Sequence, residues 1–452
     1  MKPIRSFLFF LSILILLIFI SRITGNKRLS SESFLTKRDT EVKKMPFPDT
    51  TGRQKNATPV KNDQAGFSCP DATVKKHIEK EGFIYASSDS VHLGNFFSKL
   101  AGINNGQLPV RILYFGDSQI ENGYISAVLR KKFQEKFGGK GPGFVPVGNG
   151  YNAIHKIMTT VQDSWQIYSF LDRDITNTSL IFRQAVLSDT DQKGWIRISR
   201  IRRLAPGPDY TVIKLFYTAD DSTSLHVSES GNKIYSGKFP PSRIINAIDF
   251  SFNKTPEDIR FVFGTNDSLS IQGLSLESPE GIIVDNIAMR GRSYPSFTVS
   301  DENRIEEMVN LLNPGLFILH YGVNLVPYPS KNYIFFRIQM KKQILFLKKI
   351  CPDIPVLLVG VSDMARLKNG ELASYPNIGQ IKQIQKEVAD ETGAIFWDLE
   401  AFMGGPGSMV NWVNARPPLG KSDYIHFSEA GDDKIGTELA RLLLAEFDSR
   451  EK

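Results

Sequence analysis

The chain has 452 residues, of which 41% are hydrophobic and 23% are charged, and its formal net charge is +7. This composition is typical of a soluble globular core of roughly 200 to 300 residues with an accessory module. It excludes a polytopic membrane protein, a collagen-like repeat and a wholly disordered chain. Two cysteines, Cys69 and Cys351, are too few for a disulfide framework, and the sequence leaves open whether they pair.

The amino terminus has the pattern of a secretory signal. Lys2 and Arg5 precede an apolar run over residues 7–20 that only Ser12 interrupts. No convincing small-residue cleavage site follows, so we expect residues 1–25 to form an uncleaved signal anchor, with a cleaved signal peptide as the alternative. Both predict that the rest of the chain lies outside the cytoplasm, in the periplasm at the inner membrane or, after cleavage, secreted.

Residues 26–65 are polar, basic and without helical or strand periodicity, which predicts a disordered linker. Residues 1–62 hold twelve Lys or Arg against four acidic residues, a balance of +8, whereas the remainder has a balance of −1. The basic charge therefore belongs to the segment beside the predicted anchor, where it can meet anionic lipid or wall polymer. It does not predict binding to nucleic acid.

Two blocks, residues 66–142 and 282–452, alternate strand-like and helix-like patterns. In the first block an apolar run at 110–115 precedes a helical pattern at 124–137. In the second, apolar runs at 284–287, 317–321, 355–361 and 394–399 alternate with helical patterns at 302–312, 333–350, 378–392 and 428–447. Short apolar strands between helices predict an α/β fold with a doubly wound, flavodoxin-like parallel sheet and helices on both faces.

Residues 143–281 break this alternation. Short alternating runs, such as 212–217 and 225–227, are separated by turn signals such as Ser230-Gly231-Asn232. This pattern predicts a β-sandwich inserted into the core. An elaborated loop region is the alternative, but a loop of that length would be unusual.

A serine follows the first predicted core strand directly. In Gly116-Asp117-Ser118 the glycine permits a tight turn, and the next helix would place its amino terminus beside the serine. Open α/β sheets bind their ligands at this carboxyl edge. Taken alone, the tripeptide fits an ordinary turn and helix cap equally well.

A carboxylate and an imidazole lie close together before the last predicted helix. Asp423 and His426 are three residues apart on one loop, so the carboxylate can orient the imidazole, which can then activate a serine. Of the six histidines, His426 alone is preceded by a carboxylate and followed by a helix cap. The others are His77, His92, His155, His226 and His320, and we expect His320 to be a buried core residue.

Two further residues could supply hydrogen bonds to an oxyanion. Gly291 and Asn324 each follow a predicted core strand and so belong to the same edge as Ser118. The simpler interpretation is a turn glycine and a turn asparagine. Arg290 and Arg292 flank Gly291 and could contact an anionic substrate group, although we expect them to be solvent-exposed arginines.

These motifs occur in the order of the four sequence blocks of the SGNH (GDSL-like) hydrolases, which the chain resembles over its core. Met289-Arg290-Gly291, Phe396-Trp397-Asp398, the stretch 404–409 and Asp423-Tyr424-Ile425-His426-Phe427 are similar to the extracytoplasmic branch that contains peptidoglycan O-acetylesterases. That branch carries an inserted, β-rich, carbohydrate-binding-like module. Gln119 and Leu325 depart from the residues that commonly follow the serine and the asparagine in this family.

The resemblance implies a serine esterase that needs no cofactor or metal and acts on an acetylated polysaccharide, with peptidoglycan as the leading candidate. It implies Ser118 as nucleophile, His426 as general base and acid, and Asp423 as the orienting carboxylate. It further implies an oxyanion hole formed by the Ser118 and Gly291 amides and the Asn324 side chain. Two alternatives remain: an O-acetyltransferase with the same triad, and an inactive polysaccharide-binding protein.

Overall fold

The computed structural model describes residues 78–80, 82–85, 93–103, 108–148, 150–152, 157–161, 165–169, 183–187, 194–200, 207, 209–264 and 268–450. The predicted anchor (1–25) and linker (26–65), together with Cys69, lie outside these ranges. None of the helices within them is long and apolar enough to cross a membrane.

A seven-stranded sheet forms the centre of the core. Its strands are β1 (Ile78–Lys80), β2 (Phe83–Tyr85), β3 (Val110–Gly116), β16 (Ile282–Ala288), β17 (Pro314–His320), β18 (Val356–Val359) and β21 (Ile395–Trp397). They lie in the order β1-β2-β21-β18-β17-β3-β16. The last five are parallel, in the crossover order of a flavodoxin-like sheet, while β1 and β2 add an antiparallel edge.

Helices cover both faces of this sheet. They are α1 (Gly94–Ala101), α2 (Tyr124–Phe137), α3 (Glu302–Leu312), α4 (Ile334–Ile350), α5 (Ile378–Thr392), α6 (Leu399–Met403), α7 (Ser408–Asn414) and α8 (Glu429–Arg450). Successive strand residues point to opposite faces, so Leu113 and Phe115 pack with α3, α4 and α5, whereas Ile112 and Tyr114 pack with α1, α2 and α8. The predicted α/β class is confirmed.

Fourteen further strands are found in the described part of the chain. They are β4 (Gly143–Val145), β5 (Gly150–Asn152), β6 (Ile157–Val161), β7 (Trp165–Ser169), β8 (Arg183–Leu187), β9 (Trp195–Arg200), β10 (Val212–Ala219), β11 (Thr223–Glu229), β12 (Asn232–Phe239), β13 (Ser242–Ser251), β14 (Asp258–Phe263), β15 (Ser270–Glu277), β19 (Ala365–Lys368) and β20 (Glu371–Ser374). Apart from the β19–β20 hairpin, they all lie between the first and second core blocks.

These inserted strands form two antiparallel sheets of six. One has the order β13-β10-β15-β8-β7 with β4 beside β15, and the other has the order β12-β11-β14-β9-β6-β5. Apolar side chains from both sheets share one buried cluster, which includes Ile213 and Leu215 of β10 and Phe261 and Phe263 of β14. The alternating pattern that the sequence showed at 212–217 and 225–227 thus corresponds to β10 and β11.

A buried ionic cluster ties the inserted strands to the core at the start of β3. Arg111 donates from one Nη to both carboxylate oxygens of Asp285, at 2.9 Å each, and its other Nη lies 2.5 Å from the Glu277 carboxylate. Its Nε donates to the Leu312 carbonyl at 3.1 Å. Asp285 also accepts from the Phe144 amide at 2.7 Å, so residues of β3, β4, β15 and β16 meet at one point.

Some elements had no clear signal in the sequence. The edge strands β1 and β2, helix α1 and the β19–β20 hairpin are short, and their patterns do not distinguish them from loops. The predicted strand at 394–399 is shorter in the structure and passes into α6, because Asp398 caps the helix by accepting the Ala401 amide at 2.9 Å. Cys351 is buried directly after α4.

Candidate active site

Ser118 lies on the tight turn that joins β3 to α2. An added Cβ at Gly116 would lie 2.8 Å from the His320 carbonyl of the neighbouring strand, so the close approach requires glycine there. The Asp117 amide donates to that carbonyl at 3.2 Å, and its carboxylate accepts the Gln119 amide at 3.0 Å. This turn holds the half-buried Ser118 at the carboxyl edge of the parallel sheet.

The loop before α8 brings His426 to Ser118. The Asp423 carboxylate organises this loop by accepting the Ile425 and His426 amides at 2.9 and 3.0 Å. Its second oxygen lies 2.7 Å from Nδ1 of His426, and Nε2 of the same ring lies 3.0 Å from the Ser118 hydroxyl. The predicted trio therefore forms one continuous hydrogen-bonded chain.

The electrostatics of this chain keep the aspartate ionised. Partial burial opposes ionisation of Asp423, but hydrogen bonds from the backbone and side chain of His426 and from the Ile425 amide outweigh it and lower the pKa of the carboxyl. About a third of the His426 side chain is exposed, so it can exchange protons with solvent. Such a chain can take a proton from a serine hydroxyl and return it to a leaving group.

Gly291 and Asn324 lie on turns that are linked to each other and to the Ser118 strand. The Met289 amide donates to the Gly116 carbonyl at 2.8 Å, and the Arg292 amide closes a turn onto the Met289 carbonyl at 3.4 Å. Gly291 adopts a φ of +76° in this turn, a conformation that favours glycine. Asn324, in a 3-10 turn after β17, donates from Nδ2 to the Arg292 carbonyl at 2.9 Å.

Asp117, beneath the serine, is a buried acid that lacks a full set of partners. Its side chain is completely buried, and its Oδ2 has no hydrogen-bond partner among the described residues. Burial raises the pKa of Asp117 to about 7, although the Gln119 amide and the Asn324 side chain favour ionisation. The neighbouring Tyr321 hydroxyl is also buried without a described partner.

Gln119 is a site residue that the sequence analysis noted only as a departure from the family pattern. Its Nε2 donates to the Ser362 hydroxyl and to the Ile425 carbonyl, both at 2.8 Å. Because Ile425 directly precedes His426, this side chain ties the serine turn to the histidine loop. The contact joins residues about 300 positions apart, so no local sequence signal could have revealed it.

The remaining predicted residues have varied environments. His320 is a buried core residue, as expected: it lies 3.0 Å from the Tyr114 hydroxyl, and burial lowers its pKa to about 3. His226 is exposed on β11, whereas His77, His92 and His155 lie outside the described residues.

Of the two arginines that flank Gly291, Arg290 is solvent-exposed and pairs with Glu121. The expectation of exposure was wrong for Arg292, which is half-buried beside Tyr294 and Tyr321, so burial lowers its pKa.

Within the described ranges, no group of three or more His, Cys, Asp or Glu side chains could hold a metal ion. The described site consists of a serine, an imidazole, a carboxylate and neutral hydrogen-bond donors. This set of groups can catalyse acyl transfer through a serine ester.

No family model matches the chain, and no curated protein matches it in sequence. Among solved structures, a peptidoglycan O-acetylesterase is 20% identical, with a TM-score of 0.63 over 81% of this chain and 99% of that chain. An acetyl xylan esterase is 18% identical, with a TM-score of 0.27 over 35% of this chain and 79% of that one. A family two carbohydrate esterase from Clostridium thermocellum, in complex with cellohexaose, is 10% identical, with a TM-score of 0.26 over 62% and 99%.

At 20% identity and a TM-score of 0.63, the first of these matches shows a shared fold. The chain therefore shares its fold with a peptidoglycan O-acetylesterase, and the resemblance predicted from the sequence is confirmed at that level.

Proposed function

We propose that this protein is a serine esterase that hydrolyses O-acetyl esters on a polysaccharide. The observation that carries the proposal is the hydrogen-bonded chain from Asp423 through His426 to Ser118 at the carboxyl edge of the sheet. The fold shared with a peptidoglycan O-acetylesterase supports the same reaction class. Peptidoglycan is accordingly the substrate that we propose first.

The proposed reaction has two steps. The Ser118 hydroxyl attacks the acetyl carbonyl while Nε2 of His426 takes its proton, and the sugar oxygen leaves with that proton to form an acetyl-serine ester. Water then attacks this ester, His426 takes a proton from the water, and acetate leaves as Ser118 recovers its proton. Asp423 holds the imidazole in one tautomer and stabilises its protonated form.

The negative charge on the carbonyl oxygen in each step needs nearby donors. We assign the amides of Ser118 and Gly291 and the Asn324 side chain to this role. Support comes from the linked turns, because the Gly291 turn is bonded to the Ser118 strand on one side and to Asn324 on the other. Loss of a single oxyanion donor typically lowers kcat about 100- to 1,000-fold.

The decisive variant is Ser118→Ala, assayed with p-nitrophenyl acetate on the purified full-length chain. We expect activity to fall at least about 10⁴-fold, because the nucleophile is removed while the fold is retained. Ser98→Ala, at an exposed position on α1, is the matched control and should keep wild-type activity. Full activity in Ser118→Ala would refute the proposal.

The substrate is tested by measuring acetate released from O-acetylated peptidoglycan and from acetylated xylan. We expect faster release from peptidoglycan. A preference for xylan would replace peptidoglycan as the substrate while leaving the esterase in place. Adding a glycan acceptor separates hydrolysis from transfer, since a transferase would yield acetylated acceptor instead of acetate.

We also propose that residues 1–25 anchor the protein at the inner membrane and that residues 26–65 link this anchor to an extracytoplasmic catalytic body. The apolar run at 7–20 and its basic flanks support this location. The insertion, residues 143–281, is proposed to be a β-sandwich, because its two sheets share one buried apolar cluster, and the family resemblance supports a carbohydrate-binding-like role for it. Cell fractionation with an antibody to the chain tests the location, and recovery in the cytosol would contradict it.

A further inference from the structure

The outer face of one inserted sheet carries a groove far from the proposed catalytic chain in sequence. It has a volume of about 480 Å³, within the roughly 300 to 1,000 Å³ typical of small-ligand sites. Strands β9, β11 and β14 and the turn after β11 form its walls. The lining residues are Trp195, Arg197, Ser228, Gly231, Asp258 and Arg260.

Two arginines face each other directly in this groove. Arg197 of β9 and Arg260 of β14 are cross-strand partners in the antiparallel register. Like charges directly opposite one another destabilise a sheet, so this pair works against folding unless an anion lies between or beside the two. The next residues along the same row, Ser228 and Thr160, are uncharged and offer no compensation.

A carboxylate neutralises one arginine but not the other. Arg197 binds Asp258 with two hydrogen bonds, one of them at 2.8 Å from Nε. Among the described residues, Arg260 makes no ion pair; its guanidinium instead lies over the Trp195 ring, with Cζ 4.7 Å from the ring centroid. A cation–π contact of this kind restrains the guanidinium, and a restrained guanidinium can bind a carboxylate in bidentate fashion through its N–H donors.

We infer that this groove binds a carboxylate-bearing sugar of a polysaccharide, with the carboxylate on Arg260. Trp195 holds the guanidinium in place, while the Ser228 hydroxyl and the Arg197–Asp258 pair offer partners for sugar hydroxyls. The inference rests on the proposed function for the choice of a polysaccharide ligand. It adds that the polysaccharide must carry a carboxylate. It also adds a second binding site, formed by residues other than those around Ser118, through which the chain would hold its substrate.

Sugar carboxylates come from two sources, uronic acids and the lactyl ether of N-acetylmuramic acid. The test therefore uses two probes, trigalacturonate and peptide-free peptidoglycan glycan strands, with binding measured by calorimetry or retention on the immobilised glycan. All measurements use the full-length Ser118→Ala protein, so binding is read without turnover. Failure of this inference is thus distinct from failure of the esterase assignment, which the acetate assay decides.

We expect Arg260→Gln to weaken binding of at least one acidic probe about tenfold or more, and Arg243→Gln to leave it unchanged. Arg243 is an exposed arginine of β13 on the other sheet, so this control removes the same charge elsewhere. The preferred acidic probe identifies the source of the carboxylate. Equal weakening in both variants, or in neither, overturns the inference.

A second test changes the ligand and needs no variant in the groove. Methyl-esterified trigalacturonate differs from trigalacturonate only in its neutralised carboxylates, so we expect it to bind at least about tenfold more weakly. Measurable and equal binding of the two, or no binding of either acidic probe, overturns the inference whatever the stability of the Arg260 variant.

Discussion

Strand β3 begins and ends in buried polar clusters of opposite character. At its start, Arg111 is surrounded by Asp285, Glu277 and a backbone carbonyl, so its charge is compensated. At its end, Asp117 is equally buried but lacks a described partner for one oxygen, and its pKa rises to about 7. The compensated cluster joins the insertion to the core, whereas the incompletely compensated one supports the proposed nucleophile.

The contrast shows how one strand serves two purposes. A buried charge with all its partners fixes a junction, because breaking it would leave other charges without compensation. A buried acid without all its partners is unfavourable for folding, and such groups concentrate at functional sites. Asp117 fits that pattern, since it belongs to the serine turn and its carboxyl is close to the oxyanion-hole candidate Asn324.

The largest expected effect comes from removing Arg111 from the compensated cluster at the start of β3. Arg111→Met would leave Glu277 and Asp285 buried without their cation, so we expect the free energy of unfolding to fall by about 3 to 5 kcal/mol. Urea denaturation followed by circular dichroism measures the change. The exposed Arg441→Met, which loses a surface contact with Glu438, should cost less than about 1 kcal/mol.

A charge-free version of that junction sharpens the same prediction. Arg111→Met combined with Glu277→Gln and Asp285→Asn removes all three charges together. We expect this triple variant to recover part of the lost free energy, because neither carboxylate is then left buried without Arg111. A triple variant less stable than Arg111→Met alone would show that the geometry of the cluster matters more than its charge balance.

Asp117, at the incompletely compensated end of β3, should make the free energy of unfolding depend on pH. The pKa of Asp117 is raised in the folded state, so its protonated form favours folding, and this contribution is lost as pH rises from about 4 through about 7. Relative to wild type, Asp117→Asn should therefore be more stable at pH 8 than at pH 4. The difference in unfolding free energy should be on the order of 4 kcal/mol at most.

Urea titrations at the two pH values measure this difference. The comparison with the variant is essential because burial also raises the pKa of Asp432 to about 7, which adds a parallel pH dependence to both proteins. Asp433→Asn, at an exposed position, should show no comparable change. An offset between wild type and Asp117→Asn that does not vary with pH would contradict the prediction.

The smallest effect concerns the residue that connects the serine turn to the histidine loop. Gln119→Leu removes the hydrogen bonds to Ser362 and to the Ile425 carbonyl. We expect kcat for p-nitrophenyl acetate to fall about tenfold with little change in KM, because the imidazole is held less well while acetyl binding is unaffected. Ser362→Ala, which removes one of the two contacts, should lower kcat less.

A positioning role for Gln119 must be separated from a merely structural one. Thermal unfolding of the two variants gives that separation. If Gln119→Leu lowers the unfolding temperature but leaves kcat unchanged, the side chain stabilises the fold and does not position His426.

The sequence by itself predicted the α/β core and the helices at 124–137, 302–312 and 378–392. It also predicted the four segments that contribute to the site, which are the turns after β3, β16 and β17 and the loop before α8. Those features are encoded locally, in apolar periodicity and in polar residues that follow strands. They can therefore be predicted without knowing which distant residues are in contact. Ser118, Gly291, Asn324, Asp423 and His426 became candidates in this way, and the family resemblance implied their roles. The structure joins the serine, histidine and aspartate in one chain and links the turns of Gly291 and Asn324.

Only the tertiary structure decided the features that depend on residues far apart in sequence. The bonds of Gln119, the half-burial of Arg292 and the raised pKa of Asp117 all depend on side chains that distant elements bring together. The same is true of the facing pair Arg197 and Arg260, because strand register places them opposite each other across some 60 residues of chain. Periodicity reports which face of an element is buried, but it does not report what that face meets.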